Sequence, residues 1–502
     1  MPRTESASPA SRTAAPALSP PRRLWLVVLI ACAGQFLVVL DVSVVNVALP
    51  SMRAGLGLSA AGLQWVVNAY AIAFGGFMLL GGRAADLFGR KRMFVAGLSL
   101  FTLASVAGGL AEEGWQLVAA RAAQGLGAAV LSPATLTILT AAAPEGPART
   151  RAIGTWTAVG AAGGAAGGFV GGVLVDLLSW RWVLLVNVPV GVLVLTGAAL
   201  WLSEGRTGGV RRIDLPGAVL VTAGLTALAY GIVQTEAAGW TAPATLLPLL
   251  GGIALLAAFV AVQARAAAPL VPLRVFRSRA VSASNAAIVV CGASSYGMWF
   301  FMTVYAQNVL GYTPLQAGLA LVPSSVSVIV GAKLAPLLMP ATGARNLAVL
   351  GALAAAVGFG WQSTLTPDGT YVTAILLPGV LMMTGLGLAA TPLAALATSG
   401  AVPSETGLVS GLANTSRIMG GAVGLAAFST IATSRTGATI TPETLTAGYA
   451  LAFRTATGLL LAGALLMLLW LPKPTSKPTP KPVPQPSPEV SGPTPRKDPE
   501  ES

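Results

Sequence analysis

Asp41 lies seventeen residues into the first long apolar run, in the stretch Leu40-Asp41-Val42-Ser43-Val44-Val45-Asn46-Val47-Ala48-Leu49-Pro50. It stands apart from nearly all the other acidic residues, which fall in tails, loops or the ends of apolar segments. A charge at the centre of a bilayer costs about 2.5–3.5 kcal/mol or more, so such a residue is a functional candidate by default. A carboxylate there can take up and release a proton when desolvation favours its neutral form, or hold a cationic ligand when ionised. The plainer alternative is a structural partner for a buried arginine or hydroxyl. Arg121 is the obvious counter-charge. It opens Arg121-Ala122-Ala123-Gln124-Gly125-Leu126-Gly127-Ala128, where residues 121, 124, 125 and 128 share one helical face. Its guanidinium stays protonated, so its expected role is to bias a nearby carboxylate or to bind an acceptor, packing being the alternative. Gln35, Asn46, Asn68, Tyr70 and Gln124 are further polar groups within apolar runs, and are expected to line a cavity.

Two other patterns bear on movement. Gly82-Arg83-Ala84-Ala85-Asp86-Leu87-Phe88-Gly89-Arg90-Lys91 follows the second apolar run and is expected to be a loop with a tight turn. Its carboxylate can cap a neighbouring helix N-terminus, where the macrodipole favours negative charge. A contact of that kind can form in one state and break in another, which makes Gly82, Asp86, Gly89, Arg90 and Lys91 a candidate gate. Gly160, Gly163, Gly164, Gly167, Gly168, Gly171 and Gly172 recur at helical spacing and are expected to form one smooth face for close packing. A weaker stripe contains Gly407, Gly411, Asn414, Arg417, Gly421 and Gly424.

The elements that must carry these residues are membrane helices. Of 502 residues, 54% are hydrophobic and only 9% charged, against roughly a quarter charged in soluble domains. Apolar runs fall near 24–49, 63–82, 93–111, 116–140, 152–175, 182–202 and 214–234. Others fall near 243–263, 280–306, 316–338, 346–363, 372–397, 406–433 and 450–471. With ~20 apolar residues per crossing, fourteen spans are expected, all helical because backbone groups in lipid must bond internally. If the N-terminus is inside, 23 of the 30 Lys and Arg residues fall on the inner side. The positive-inside rule then puts both termini in the cytoplasm and the protein in the cell membrane. Residues 1–23 and 472–502 read as disordered tails, the second Pro-rich. The chain has no histidine, and its two cysteines, Cys32 and Cys291, lie within apolar runs. A disulfide framework, a metal site and a cofactor are therefore not expected. The net charge of +13 is scattered along the chain in a way that fits topology better than nucleic-acid binding.

Taken in order, these segments resemble the major facilitator superfamily, and within it the fourteen-span drug:proton antiporters. Leu40–Pro50 is similar to that family's first-span signature, Gly82–Lys91 to its gating loop, and Arg121–Ala128 to its proton-linked motif. Gly163–Gly172, with Trp180-Arg181-Trp182 and Asn187-Val188-Pro189-Val190-Gly191, is similar to the antiporter motif and its continuation. Ser410-Gly411-Leu412-Ala413-Asn414-Thr415 resembles the thirteenth-span segment. Two departures stand out: Leu87 occupies a position where the family usually has Arg, and Gly168 follows Gly167 where Pro is usual.

The resemblance implies an all-α major-facilitator fold of two six-helix bundles, 24–202 and 280–471, with two extra spans and a linker over 203–279. It further implies antiport of drugs or other amphipathic molecules against protons, with the proton gradient as energy source and a monomer as working unit. Asp41 would bind the proton, Arg121 would tune it, and Asp86 with Arg90 would form the cytoplasmic gate. Gly163, Gly167, Gly168, Gly171 and Gly172 would pack helices. An exporter of a polar metabolite such as an amino acid or sugar would need a more polar cavity. A membrane-embedded enzyme or a non-transporting sensor would need a catalytic cluster or a folded soluble domain, and the sequence shows neither.

Overall fold

The computed structural model describes residues 21–143, 147–204, 214–266, 269–399, 406–437 and 439–472. Of the expected tails, residues 1–20 and 473–502 lie outside this set. Every regular element among the described residues is helical. The chain begins with α1 (Pro21–Leu56) and α2 (Ala60–Phe88), joined by a short turn in which Gly57 has φ +60° and Ser59 caps α2 through the Gly62 N–H. α3 (Arg90–Gly109) follows after Gly89 alone, and α4 (Gly114–Ala142) opens with a reciprocal cap between Glu113 and Gln116. α5 (Pro147–Leu177) leads through a tight corner at Trp180 into the short α6 (Trp182–Leu185) and α7 (Asn187–Trp201).

α8 (Leu215–Ala238) and α9 (Pro243–Arg265) form a hairpin turned by Gly239 at φ +81°. The rest comprises α10 (Arg279–Asn308), α11 (Pro314–Ala320), α12 (Val322–Thr342), α13 (Ala344–Gln362), α14 (Leu377–Thr398), α15 (Thr406–Thr436) and α16 (Pro442–Trp470). A single π-helical turn, Val372–Leu376, precedes α14 where Pro378 removes a backbone donor.

Twelve helical stretches among the described residues are long and apolar enough to cross a membrane, two short of the fourteen expected. The remaining pair corresponds to α2 and α15, helices of 29 and 31 residues. Both carry polar side chains, such as the buried Gln64 and Asn68 on α2 and the half-buried Asn414 and exposed Arg417 on α15, and some of their side chains lie outside the described set. Large apolar side chains point outward all round the molecule: Leu193 is 72% exposed, Leu247 70%, Leu337 73% and Leu469 78%. Such a surface suits hydrocarbon and not water.

Successive helices run in opposite directions, so the turns gather at two ends. At the terminal end, where α1 begins, Lys91 Nζ donates to the Ala199 carbonyl (2.9 Å), and Arg345 at the start of α13 reaches the Leu468 carbonyl near the end of α16. At the distal end, the Arg181 guanidinium donates to the Ala111 carbonyl (2.7 Å) and stacks over Trp180.

Helices α1–α5 and α7 pack among themselves, as do α10 and α12–α16. α8 and α9 pair with each other, and α8 lies against both α2 and α15. The two groups meet where α2 runs beside α15, and where α1 and α5 touch α10, α11 and α12. Near the distal end, Gln307 Nε2 donates to the Val47 carbonyl (2.8 Å), and Asp176 accepts from the Leu315 N–H (3.2 Å).

Candidate functional site

Asp41 and Arg121 meet in the interior of the first helix group. Asp41 is fully buried, and Arg121 is 2% exposed. Among the described residues they are the only buried acidic and basic side chains. Arg121 Nη1 donates to Asp41 Oδ2 at 2.5 Å and to Gln124 Oε1 at 2.9 Å, while its Nε donates to the Val66 carbonyl at 3.1 Å. The other carboxylate oxygen, Oδ1, accepts from Asn187 Nδ2 at 2.8 Å and from Gln124 Nε2 at 3.1 Å. Ser105 closes the network: its hydroxyl oxygen accepts from Gln124 Nε2 at 2.7 Å, and its proton goes to the Phe101 carbonyl. The Tyr70 ring lies 4.4 Å from the guanidinium carbon, a cation–π contact on the face of Arg121.

One carboxylate is thus held by donors from two helices, α4 and α7, while α1 carries it and α3 supports it. The local reasons are plain. Arg121 and Gln124 are three apart on α4 and so point the same way. Gly125 lets α4 approach α2 so closely that a Cβ there would strike the Tyr70 carbonyl. Gly127 and Gly97 do the same between α4 and α3. A buried ion pair is tolerable only when further hydrogen bonds support it, and Gln124, Asn187 and the Val66 carbonyl supply them.

The expected cavity residues divide into two sets. Tyr70 and Gln124 belong to the buried network and not to an open lining. Asn68 is also fully buried, and neither atom of its amide has a partner. Gln35 and Asn46 are half-buried on α1, and Gln35 Oε1 accepts from Ser132 at 3.0 Å. Asn187 and Ser105 were not singled out for a role in the sequence. Asn187 stands in the segment Asn187–Gly191 that resembles the continuation of the antiporter motif, and that resemblance is its one signal in the sequence. Ser105 is one hydroxyl in an apolar run and has none.

The stretch Gly82–Lys91 is not a loop. α2 continues to Phe88, because Arg83-Ala84-Ala85-Asp86-Leu87 contains good helix formers and no breaker. The turn is Gly89 alone, at φ +101° and ψ 136°, a conformation side chains rarely adopt. The Asp86 side chain lies outside the described residues. Beyond the turn, Arg92 pairs with Glu204 at 3.7 Å, and the Glu204 carboxylate also abuts Gly89. Lys91 and Arg92 therefore fasten the α2–α3 turn to the end of α7.

The glycine stripe of α5 packs against two neighbours. Gly163, Gly167 and Gly171 lie against α1 at Phe36, Ser43 and Val44, and Ser43 donates to the Gly164 carbonyl at 2.7 Å. Gly168 and Gly172 lie against α11, meeting Gly318 and Leu315. Paired glycines one residue apart project about 100° from each other on a helix, enough to serve two neighbours. On the second helix group, Lys333 on α12 and Arg417 on α15 are both exposed.

The chain matches the family model of the Major Facilitator Superfamily over residues 31–425. It is 50% identical over 428 residues to the cephamycin export protein of Amycolatopsis lactamdurans, covering 84% of this chain and 88% of that one. It is 38% identical over 458 residues to a puromycin resistance protein of Streptomyces alboniger, covering 89% and 91%. Among solved structures it resembles an inward-facing bacterial homologue of the lysosomal transporter spinster, with TM-score 0.65 at 18% identity, covering 90% of this chain and 97% of that one. It also resembles a D-xylose–proton symporter, with TM-score 0.63 at 15% identity, covering 90% and 98%. At these identities the structural likeness is one of fold.

Proposed function

The chain belongs to the major facilitator superfamily, and from that premise we propose that it is a proton-coupled exporter of amphipathic small molecules such as antibiotics. The observation that carries the reading is the buried Asp41–Arg121 pair, an ionisable acid placed where no structural economy requires one. Replacing such a pair by packed apolar residues is often neutral or stabilising, so a role in coupling is the better account of its presence. The names of the relatives, an export protein and a resistance protein, supply the direction and the class of substrate.

The geometry supports the following cycle. With Asp41 ionised, Arg121, Gln124 and Asn187 hold α1, α4 and α7 together around one anion. A proton arriving at the carboxylate removes that anion and loosens three donors at once. Arg121 keeps its charge, its Val66 contact and its place beneath Tyr70, so it is ready to recapture the carboxylate when the proton leaves. Alternating access then needs the distal contacts, Gln307 to Val47 and Leu315 to Asp176, to part while the terminal end closes. The two helix groups over 24–202 and 280–471 would rock about a midplane site, with α8 and α9 as the added hairpin. By the inner excess of Lys and Arg, the terminal end faces the cytoplasm and the distal end faces outside. The working unit in this scheme is a monomer in the cell membrane, driven by the proton gradient alone.

The test is Asp41→Asn in everted vesicles. The variant is expected to insert normally and to exchange substrate across the membrane, but to lose export driven by a pH gradient. Gradient-driven export at the parental rate would sink the proposal.

A further inference from the structure

Arg417 is a cation in the wrong place for a structural residue. α15 begins at Thr406, so Arg417 stands about 16 Å along the helix. α15 is packed by α2, α8, α10, α14 and α16, and the contacts around Arg417 fix its direction. Its own carbonyl abuts Gly292 of α10. One turn earlier, Asn414 Nδ2 reaches Met78 Sδ of α2 at 3.0 Å. One turn later, Gly421 lies against the Tyr296 ring of α10. The side chain therefore leaves α15 between α10 of one helix group and α2 of the other. It is nonetheless exposed, so it stands in open space between the groups.

Nothing described neutralises it. Arg417 Nη2 donates to Asn414 Oδ1 at 2.9 Å, and a neutral amide cannot balance a charge. Among the described residues, the two ion pairs are Arg92 with Glu204 and Arg121 with Asp41. Arg121 differs from Arg417 in the respects that matter to a ligand: it is buried and paired with a carboxylate. Beside Arg417 stands Tyr296, half-buried against the cores of both helix groups. A guanidinium with unused donors, an amide and an aromatic ring together fit a carboxylate attached to an apolar body. Arginine suits this task because its planar fork matches a carboxylate bidentately.

We infer that the space between α2, α10 and α15 at Arg417, Asn414 and Tyr296 binds the anionic group of the substrate, and that this exporter handles amphipathic carboxylic acids. The inference rests on the export reading above and names the substrate class for it.

The experiment is equilibrium binding to the purified full chain in detergent, where no proton gradient exists. The probes are a dansyl-labelled alkyl carboxylate and its trimethylammonium counterpart. The parent is expected to bind the carboxylate roughly tenfold or more tightly than the cation. Arg417→Gln should lose that preference, Arg417→Lys should keep most of it, and Arg417→Glu should reverse it. Should the variants fold poorly, Arg417→Cys supplies a second measurement: its labelling by a thiol reagent should be slowed by the carboxylate and not by the cation. A parent that binds both probes equally or prefers the cation overturns the inference, as does unchanged carboxylate binding by a folded Arg417→Gln. Asp41→Asn separates the two proposals. Loss of proton coupling there would leave the carboxylate preference intact, whereas a parent that couples normally but shows no carboxylate preference defeats this site alone.

Discussion

At the scale of residues, Asp41 and Arg121 are useful because each is nearly useless alone. Removing the guanidinium leaves a buried carboxylate with two amide donors, and breaking a buried pair this way typically costs about 3–5 kcal/mol. Arg121→Ala is therefore expected to lower the thermal unfolding midpoint in detergent markedly. The double variant Asp41→Asn/Arg121→Gln, which removes both charges, should recover much of that stability while transport stays abolished. Recovery of neither, or of both, would contradict the separation of coupling from packing. Arg121→Lys should also fail in transport, since an ammonium cannot reproduce the fixed fork that reaches Asp41, Gln124 and Val66 together. This site was legible in the sequence to an unusual depth because charges in apolar runs are rare enough to be matched by eye. Asn187 and Ser105 were not, because an amide or hydroxyl is ordinary in a membrane helix until the partner it meets across space is known.

At the scale of elements, the sequence conveys where apolar runs begin and end but not which side of a helix faces which neighbour. The stretch Gly82–Phe88 looked like a loop because charges and glycines usually mark one. It is helical because nothing in it breaks a helix before Gly89. The α5 glycines share a helical spacing, yet the stripe divides along its length: Gly160 to Gly164 face α1, while beyond them Gly167 and Gly171 face α1 and Gly168 and Gly172 face α11. That division makes a prediction. A Cβ at Gly171 would press on the Val44 carbonyl at 2.9 Å, within the α1–α5 pair. Gly171→Ala should lower thermal stability. A Cβ at Gly318 would strike the Gly168 carbonyl across the two helix groups. Gly318→Ala should leave stability closer to the parent but part the distal contact. The readout is labelling of Leu315→Cys, which lies at the α5–α11 contact against Gly172, by a membrane-impermeant thiol reagent added from the distal side, which should speed up several-fold. Equal behaviour of the two variants would argue against distinct duties for the two glycine sets.

The α8–α9 hairpin has its own fastening. The Asp214 carboxylate caps α8 through the Gly217 N–H (2.9 Å) and accepts from Gln263 Nε2 (2.5 Å) and from the Leu270 N–H (3.2 Å). Gln263 in turn accepts from the Val271 N–H (2.9 Å). Asp214→Ala removes a cap and two further bonds, a loss of about 2 kcal/mol or more. It should lower the unfolding midpoint while leaving ligand binding by the folded fraction unchanged.

At the scale of the whole molecule, what the hairpin touches matters more than what it is made of. Gly76 of α2 gives Thr222 of α8 so little room that no side chain would fit between them. On the other flank, the Thr430 hydroxyl of α15 shares its proton between the Ala426 carbonyl of its own helix (3.0 Å) and the Ile232 carbonyl of α8 (3.2 Å). A transporter that tilts one helix group against the other must slide α2 past α15, and a passenger gripping both cannot follow both. It packs against both helices, and its hold on α15 adds a hydrogen bond that can break and re-form. The hairpin should then travel with the first group and drag across the second, behaving as a brake shoe whose friction sets how fast the cycle turns. Thr430→Val, which spares shape and removes that bond, is the substitution that would release it: a faster turnover with unaltered affinity is the expected signature.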